Sequence, residues 1–218
     1  MFKNRRTTAV IVAAGSGKRM GAEVAKQFLV IDDVPMIIKT LRVFISNRFI
    51  DDIVLVIRKQ DKKQVTDLLS KYLEKDKIDR VSLVIGGNQR TDSVKNALKF
   101  LKNKDADIVL IHDVARPYIT DVVIENVLQG LVDNEAVIPC VTPKDTIRTK
   151  EFTLDRDSLF IVQTPQGFAY KVIVNAYANM KVGNTYTDDA SVVEASGLNV
   201  AIVEGSYKNI KITTIDDL

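Results

Sequence analysis

Ala13-Ala14-Gly15-Ser16-Gly17-Lys18-Arg19-Met20 follows a short apolar run, residues 9–12, near the start of this 218-residue chain. Small residues at the end of a buried strand let the backbone bend tightly and bring its N–H groups against a phosphate chain. Arg19, and Lys26 a little further on, could neutralise such a chain from both sides. The strand, the glycine loop and the paired cations together predict a nucleoside triphosphate site.

Two better-known glycine loops do not fit this stretch. The dinucleotide fingerprint needs G-x-G-x-x-G, but Met20 stands at the third glycine position. A Walker A loop needs G-x-x-x-x-G-K-[ST], but Val12 stands at the first glycine position and Arg19 follows Lys18. A glycine turn after a buried strand is also common in proteins that bind no phosphate. The prediction of a triphosphate site therefore depends on the nearby cations.

Composition narrows the class of protein. A chain of 218 residues can bury a large core, and one domain over residues 1–218 is the default expectation. The net charge of +3 comes from interspersed charges, which suits a small anionic ligand better than nucleic acid. No apolar run is long enough to span a membrane, and the first residues lack a secretory pattern. We therefore expect a cytoplasmic protein that binds neither nucleic acid nor membrane.

Two residue types occur once each in the chain. Cys140 is the single cysteine, so no disulfide framework exists, and we interpret it as a small buried hydrophobic residue of a reduced compartment. His112 is the single histidine. One cysteine and one histidine argue against a zinc site built from the usual ligands.

Short β-branched runs alternate with segments of helical period. We predict strands over residues 8–12, 53–57, 81–85, 108–112, 136–141 and 200–203. We predict helices over residues 36–46, 62–73, 91–102 and 121–132. This alternation is typical of an α/β fold with a mostly parallel sheet and helices on both faces, in which ligands bind beyond the carboxyl ends of the strands. Polar clusters follow those ends at residues 15–19, 86–93, 112–117 and 144–146.

One segment breaks the alternation. Residues 144–162, between Pro143 and Pro165, are rich in polar and charged side chains. Residues 146–149 and 158–162 could form the two strands of a hairpin. A projection with so little core of its own would need a partner, which suggests a dimer, but a solvated surface hairpin fits the pattern equally well.

The polar clusters offer candidate binding groups. Residues 86–93 combine a glycine pair, a hydroxyl and a helix start that could read the edge of a nucleobase, or they form a plain turn with Thr91 or Asp92 as N-cap. Asp113 could hold ribose hydroxyls or a phosphate-bound metal and Arg116 a phosphate, or the two could form a salt bridge. We discount His112 as a general base, because a histidine at a strand end more often makes structural hydrogen bonds.

Two later positions have ordinary structural interpretations. Thr187, followed by acids and an apolar run, is typical of a helix N-cap. Lys211 lies in an alternating pattern that indicates a strand with a solvent-facing lysine. Neither signal is specific by itself.

Taken in order, the motifs resemble the 2-C-methyl-D-erythritol 4-phosphate cytidylyltransferase family. They are A-A-G-x-G-x-R-M, K-Q-x-L, G-G-x-x-R-x-x-S-V, H-D-x-A-R-P, D-T, D-R, Q-T-P-Q-x-F, T-D-D-A-S and N-I-K-x-T-T, over residues 9–218. The resemblance implies a Rossmann-like nucleotidyltransferase fold and a homodimer joined by a projecting β-arm at about 144–162. It also implies transfer of CMP from CTP to 2-C-methyl-D-erythritol 4-phosphate in non-mevalonate isoprenoid biosynthesis, with Mg²⁺ or another divalent cation.

The resemblance also implies residue roles. Catalytic roles fall to Arg19, Lys26, Arg156 and Lys211. Nucleotide binding falls to Ala13, Ala14, Gly15, Gly17, Gly87, Asn88 and Ser93. Acceptor binding falls to Asp113, Ala115, Arg116, Thr146 and Thr187. Thr146 and Arg156 would reach the site from the other subunit's arm, and the metal would be held mainly by the CTP phosphates.

Two alternatives stay open at this point. A ribitol 5-phosphate cytidylyltransferase would use the same chemistry, but the pair Ser93-Val94, the T-D-D-A-S stretch and Val162 before Q-T-P-Q argue against it. A catalytically silent nucleotide-binding regulator is the alternative of another class, and the presence of both Arg19 and Lys26 argues against that. Ala25 stands where the family commonly has proline, which predicts a more mobile loop.

Overall fold

The computed structural model describes residues 1–15, 25–181 and 183–217 and is organised around one large sheet. Its strands are β1 (Thr7–Val12), β2 (Val30–Ile31), β3 (Val34–Pro35), β4 (Asp52–Ile57), β5 (Val81–Ile85), β6 (Ile108–Asp113), β7 (Ala136–Val141), β8 (Ile161–Val162), β9 (Gln166–Ala169) and β10 (Ala201–Glu204). β2 and β3 form a separate small hairpin, and the other strands form the large sheet.

The order of the strands decides where the chain can hold a ligand. The order across the sheet is β10-β7-β9-β6-β1-β4-β5, with β8 paired to the end of β7. β6, β1, β4 and β5 are parallel to one another. β9 runs antiparallel between β6 and β7, so β7 and β10 point the same way as β6. The carboxyl ends of all the parallel strands therefore meet at one edge of the sheet.

Helices cover both faces of the sheet. They are α1 (Met36–Ser46), α2 (Lys62–Tyr72), α3 (Lys75–Ile78), α4 (Arg90–Leu101), α5 (Asp121–Gly130), α6 (Tyr170–Ala178) and α7 (Asp189–Glu194). Ala9 and Ile11 of β1 share one buried cluster with Phe44 of α1, whereas Val10 shares the opposite cluster with Val94 of α4. Successive side chains of a strand point to opposite faces, so a strand that is covered twice is apolar throughout.

The predicted α/β fold is confirmed. Each of the six predicted strands and four predicted helices is present, with ends that differ by no more than two residues. β9 and α6 were not predicted, and β9 was missed because Gln166-Gly167-Phe168-Ala169 contains no β-branched residue. The helix expected after Thr187 is present as α7. Among the described helices, none has the length and apolar character needed to cross a membrane.

The predicted hairpin has a different register in the structure. Residues 147–149 pair with residues 152–154, through a bridge between Arg148 and Thr153 and a hydrogen bond from the Leu154 N–H to the Ile147 carbonyl at 2.8 Å. The expected pairing of 146–149 with 158–162 is wrong, because Thr149 Oγ1 accepts the N–H groups of Glu151 and Phe152 and closes a tighter turn. The second half of the segment instead continues through β8, which extends the sheet beside the end of β7.

Gly167 explains how β9 fits inside the sheet. A Cβ at this position would lie 2.5 Å from Val127 Cγ1 of α5 and 2.9 Å from Leu131 Cδ1. Such distances are far below van der Waals contact, so any larger residue would push α5 away from the strand. The helix and the sheet can approach this closely only because residue 167 has no side chain.

We expect Gly167→Ala to lower the free energy of unfolding by about 1–3 kcal/mol, the usual cost of overpacking a core. Val127→Ala alone removes buried methyl groups and also destabilises. Since the clash involves Val127, the double variant should be more stable than the sum of the two single effects, by about 0.5–3 kcal/mol of coupling. Urea unfolding of the four proteins measures this cycle, and strict additivity would contradict the packing described.

Candidate active site

A cavity of about 560 Å³ lies at the carboxyl edge of the sheet. It is bounded by the segments that follow β1, β4, β5 and β6 and by residues near the end of the chain. The predicted site residues that line it are Ala13, Ala14, Gly15, Lys26, Gly87, Asn88, Ser93, Asp113, Ala115 and Lys211. Gly17 and Arg19, which were also predicted, lie outside the described residues.

The segment after β1 forms one wall of the cavity. The Ala13 N–H donates to the Val56 carbonyl at 2.8 Å, which holds the end of β1 beside β4. A Cβ on Gly15 would meet no atom of the described residues within 4 Å. Lys26 begins a short 3₁₀ helix, Lys26–Phe28, and also lines the cavity. The backbone of residues 13–15 and a cation thus line the same cavity.

The segment after β5 forms a second wall. A Cβ on Gly86 would lie 2.5 Å from the Ala14 Cβ, so this glycine lets the β1 and β5 segments touch. Ser93 Oγ accepts the Gly87 N–H at 3.1 Å and donates to the Gln89 carbonyl at 3.1 Å. The hydroxyl of Ser93 therefore shapes the turn that presents Gly87 and Asn88 to the cavity.

The start of α4 differs from both predicted N-caps. α4 begins at Arg90, so Gln89 is the N-cap and Thr91 and Asp92 lie inside the first turn. The Asp92 carboxylate reaches back to the Gln89 N–H at 3.1 Å. An acid three residues after the cap satisfies the free N–H of the cap residue, and this explains why Asp92 is here.

Asp113, the last residue of β6, holds two cations. Arg90 Nε lies 3.0 Å from Asp113 Oδ1, and Lys211 Nζ lies 2.5 Å from Asp113 Oδ2. Burial opposes the charged carboxylate, but the two cations outweigh burial and hold the pKa of Asp113 well below its ordinary value. Lys211 is exposed, as its ordinary interpretation predicted, but its ammonium also pairs with Asp113. The predicted strand around it is wrong, because residues 209–213 form no strand.

Arg90 links this pair to a second buried acid. Its Nη2 lies 2.7 Å from Asp189 Oδ2, and the Tyr177 hydroxyl donates to Asp189 Oδ1 at 2.6 Å. Burial disfavours the charge on Arg90, but Asp189 and Asp113 more than compensate and raise its pKa. No local pattern predicts this contact, because Arg90 and Asp189 are 99 residues apart. The T-D-D-A-S stretch, which contains Asp189, was interpreted as the start of a helix.

Arg116 and His112 are buried beneath the cavity. Arg116 Nη1 donates to the Asn209 carbonyl at 2.7 Å and Nη2 to the Val162 carbonyl at 3.2 Å, so the alternative of a salt bridge to Asp113 is wrong. His112 Nδ1 lies 3.0 Å from Thr164 Oγ1, and Nε2 lies 3.2 Å from the Arg116 carbonyl. The structural role expected of His112 is confirmed, and Arg116 ties the β6 exit loop to two distant segments.

Three predicted residues, Thr146, Arg156 and Thr187, are exposed and do not line the cavity. Thr146 and Arg156 belong to the segment 144–162, and Arg156 Nη1 donates to the Lys144 carbonyl at 3.0 Å. Thr187 is exposed and is not the N-cap of α7. Asp188 is the cap, because its carboxylate accepts the Ser191 N–H at 2.9 Å. Within one chain, the cavity is therefore formed without these three residues.

Comparison with known proteins identifies relatives along the whole chain. A family model described as 2-C-methyl-D-erythritol 4-phosphate cytidylyltransferase matches residues 7–218. A curated protein of that name from Clostridium botulinum strain Langeland is 44% identical over 221 residues, which cover 98% of this chain and 94% of the relative. A curated protein of the same name from Bacillus cereus is 42% identical over 218 residues, which cover 97% of this chain and 94% of the relative.

Solved structures show the same likeness. A 4-diphosphocytidyl-2C-methyl-D-erythritol synthase from Anaerococcus prevotii has 30% sequence identity and a TM-score of 0.86, and the match covers 99% of this chain and 94% of that one. A 2-C-methyl-D-erythritol 4-phosphate cytidylyltransferase from Thermus thermophilus has 28% identity and a TM-score of 0.78 over 97% and 95% of the two chains.

The buried histidine predicts a pH dependence of stability. Burial lowers the pKa of His112 to about 3 from an ordinary value of 6.5. Between these values the unfolded chain binds one proton more than the folded chain, so stability is lost as the pH falls from 6.5 towards 3. We expect the protein to be about 2 kcal/mol more stable at pH 7 than at pH 5 on this account.

Urea unfolding at the two pH values measures the difference. His112→Asn should remove most of it, since no other histidine is present to titrate. A wild-type protein equally stable at pH 5 and pH 7 would show that His112 is free to take up a proton in the folded state.

Proposed function

The chain belongs to the 2-C-methyl-D-erythritol 4-phosphate cytidylyltransferase family, and on that premise we propose that it transfers CMP from CTP to 2-C-methyl-D-erythritol 4-phosphate and releases pyrophosphate. One observation carries the proposal beyond the family match. A single cavity is lined by residues 13–15 after β1, the turn at Gly87, Lys26 and the Asp113–Lys211 pair. That arrangement provides backbone donors and cations for phosphates beside a carboxylate for hydroxyl groups.

CTP would occupy the part of the cavity between the β1 and β5 segments. Ala13, Ala14, Gly15 and Gly17 would shape the loop around the triphosphate, and Arg19 and Lys26 would stabilise the charge that develops on it. Gly87, Asn88 and Ser93 would hold the cytosine. Because Ser93 Oγ already bonds the Gly87 N–H and the Gln89 carbonyl, its contribution would come largely through the shape of the turn.

The acceptor would lie over the end of β6. Asp113 and Ala115 would face its hydroxyl groups, and Lys211 would attract its phosphate. Thr187 would contact it from the exposed edge, and Arg116 would fix the β6 exit loop through the Asn209 and Val162 carbonyls. Lys211 is held by Asp113 at 2.5 Å, so the cation is already positioned before the phosphate arrives.

The reaction would be a displacement at the α-phosphorus of CTP. An oxygen of the acceptor phosphate forms a bond to this phosphorus, and the bond from the phosphorus to the oxygen bridging to the β-phosphate breaks. The electron pair of that bond leaves with pyrophosphate. A phosphate monoester has a second pKa of about 6, so the nucleophile is mostly dianionic at neutral pH and needs no general base. His112, buried and structurally bonded, would take no part.

We propose Mg²⁺ as the divalent cation. The described residues contain no cluster of three or more His, Cys, Asp or Glu side chains suited to a metal ion. Asp113 is the carboxylate among the described lining residues. Magnesium is commonly bound by one or two carboxylates together with substrate phosphates, so this lining suits an ion that arrives on CTP. Such an ion would neutralise negative charge on the phosphates.

We also propose that the protein acts in the cytoplasm as a homodimer joined by the segment 144–162. This segment, which includes β8, exposes Phe152, Phe160 and Ile161, each about half accessible to solvent. A second subunit would remove that apolar surface from water. Thr146 and Arg156 lie on the same segment, and the dimer would bring them to the acceptor end of the partner's cavity.

The function is tested by acceptor choice. With CTP and Mg²⁺, we expect pyrophosphate release that depends on 2-C-methyl-D-erythritol 4-phosphate and is much slower with ribitol 5-phosphate. Lys26→Ala should lower turnover by roughly a hundred- to a thousandfold, as is typical when charge stabilisation is lost. Faster turnover of ribitol 5-phosphate would overturn the choice of acceptor, and no turnover with either would favour a silent nucleotide-binding protein.

The shared active site is tested with mixed dimers. Arg156→Ala and Lys211→Ala should each be nearly inactive alone, because both cations would steer the acceptor phosphate. In a mixed dimer, one site carries both defects and the other is intact. Equal amounts of the two variants, refolded together, give about half mixed dimers, so about a quarter of wild-type activity should return. Native mass spectrometry confirms exchange, and exchange without recovery would show that the arm does not serve the partner's site.

A further inference from the structure

Gln27, Arg58 and Asp61 form a buried clamp beside the cavity. Asp61 ends a short 3₁₀ helix, Lys59–Asp61, that follows β4. Its carboxylate accepts from Arg58 Nε at 2.7 Å and Arg58 Nη2 at 2.9 Å, and from Gln27 Nε2 at 2.9 Å. Gln27 and Asp61 are almost completely buried. The clamp therefore fixes the Lys26-Gln27 segment to the end of β4.

The clamp orients the guanidinium of Arg58. Asp61 engages Nε and Nη2 along one side of the planar group, so Nη1 and the second hydrogen of Nη2, at the end of the group, are not used by this carboxylate. The side chain is 23% exposed, and Arg58 lines the cavity together with Lys26 and Gly15. Lys26 is the immediate neighbour of Gln27, so the same carboxylate that orients Arg58 also anchors the residue next to Lys26.

We propose that Arg58 binds the β- and γ-phosphates of CTP, and hence the pyrophosphate that leaves. A planar guanidinium forms two parallel hydrogen bonds to phosphate oxygens, which a point charge cannot do. The inference rests on the proposed function for the identity of the nucleotide. Asp61 would keep the side chain ordered in the empty cavity, so that little conformational freedom is lost when the phosphates bind.

A purely structural role for Arg58 is the competing explanation. A buried carboxylate requires a cation or hydrogen-bond donors, and Arg58 meets that need for Asp61 whether or not a phosphate ever binds. The two explanations differ in what they predict for ligands. A phosphate-binding Arg58 distinguishes nucleotides by their terminal phosphates, whereas a structural Arg58 does not.

The experiment measures binding of CTP, CMP and magnesium pyrophosphate to the full-length protein by calorimetry. The main variant is Arg58→Met combined with Asp61→Asn, which removes both charges and leaves no unpaired buried carboxylate. We expect the dissociation constants of CTP and pyrophosphate to rise roughly ten- to a hundredfold, the range for a lost charged hydrogen-bond pair, and that of CMP to change less than about twofold. Lys59→Ala, an exposed cation beside Arg58, is the matched control and should change none of the three.

Arg58→Lys is the second variant and keeps a positive charge opposite Asp61, so it guards against loss of folding in the first. It should weaken CTP and pyrophosphate binding by about threefold to tenfold and leave CMP binding unchanged. Lysine keeps the positive charge but cannot form two parallel hydrogen bonds to a phosphate. Unchanged CTP and pyrophosphate binding in both variants would show that Arg58 has only the structural role of pairing with Asp61. Equal weakening of CMP and CTP would place it against the nucleoside instead. If the wild type shows no acceptor-dependent turnover, the proposed function is refuted. The comparison of CTP, pyrophosphate and CMP binding still tests the role of Arg58 in that case.

Discussion

Asp113 holds one negative charge between two cations, and the geometry of the cavity depends on it. Arg90 comes from α4, Lys211 from the end of the chain and Asp113 from β6, so one carboxylate fixes three parts of the fold at the same edge. Asp189 supplies the second negative charge, so the two carboxylates match the two cations in charge. Loss of any one would leave an uncompensated charge in a largely buried place, which is far more costly than replacing a whole pair.

The sheet and its main helices could be predicted because their signals are local. A strand covered on both faces is a short apolar run, and an amphipathic helix repeats every three to four residues, so β1 and α1 are visible in sequence alone. The caps were harder to assign. Asp92 and Thr187 look like caps, but the true caps are Gln89 and Asp188, and only the position of the first helical turn distinguishes them.

The sequence pattern was enough to predict which loops line the site, but not which side chains contact one another in it. Glycines and polar residues after strands identify the cavity wall because parallel strands end at one edge. Which cation meets which acid is decided by long-range packing, and no local pattern encodes it. Arg90 reaches Asp189 across 99 residues, and Gln27 reaches Asp61 across 34. Arg58, the remaining member of the clamp, lies in a charged stretch that a sequence pattern assigns to solvent.

The position of β9 also has a consequence for the order in which the protein can assemble during synthesis. β6 and β7 leave the ribosome before β9, yet β9 must lie between them, so their backbone groups face a gap two strand spacings wide, about 9–10 Å, until it arrives. The sheet therefore stays in two parts until residue 169, roughly three quarters of the chain, has been made. A nascent chain halted before that point has an unpaired edge on β6, which is the kind of edge that chaperones cover and that neighbouring chains join.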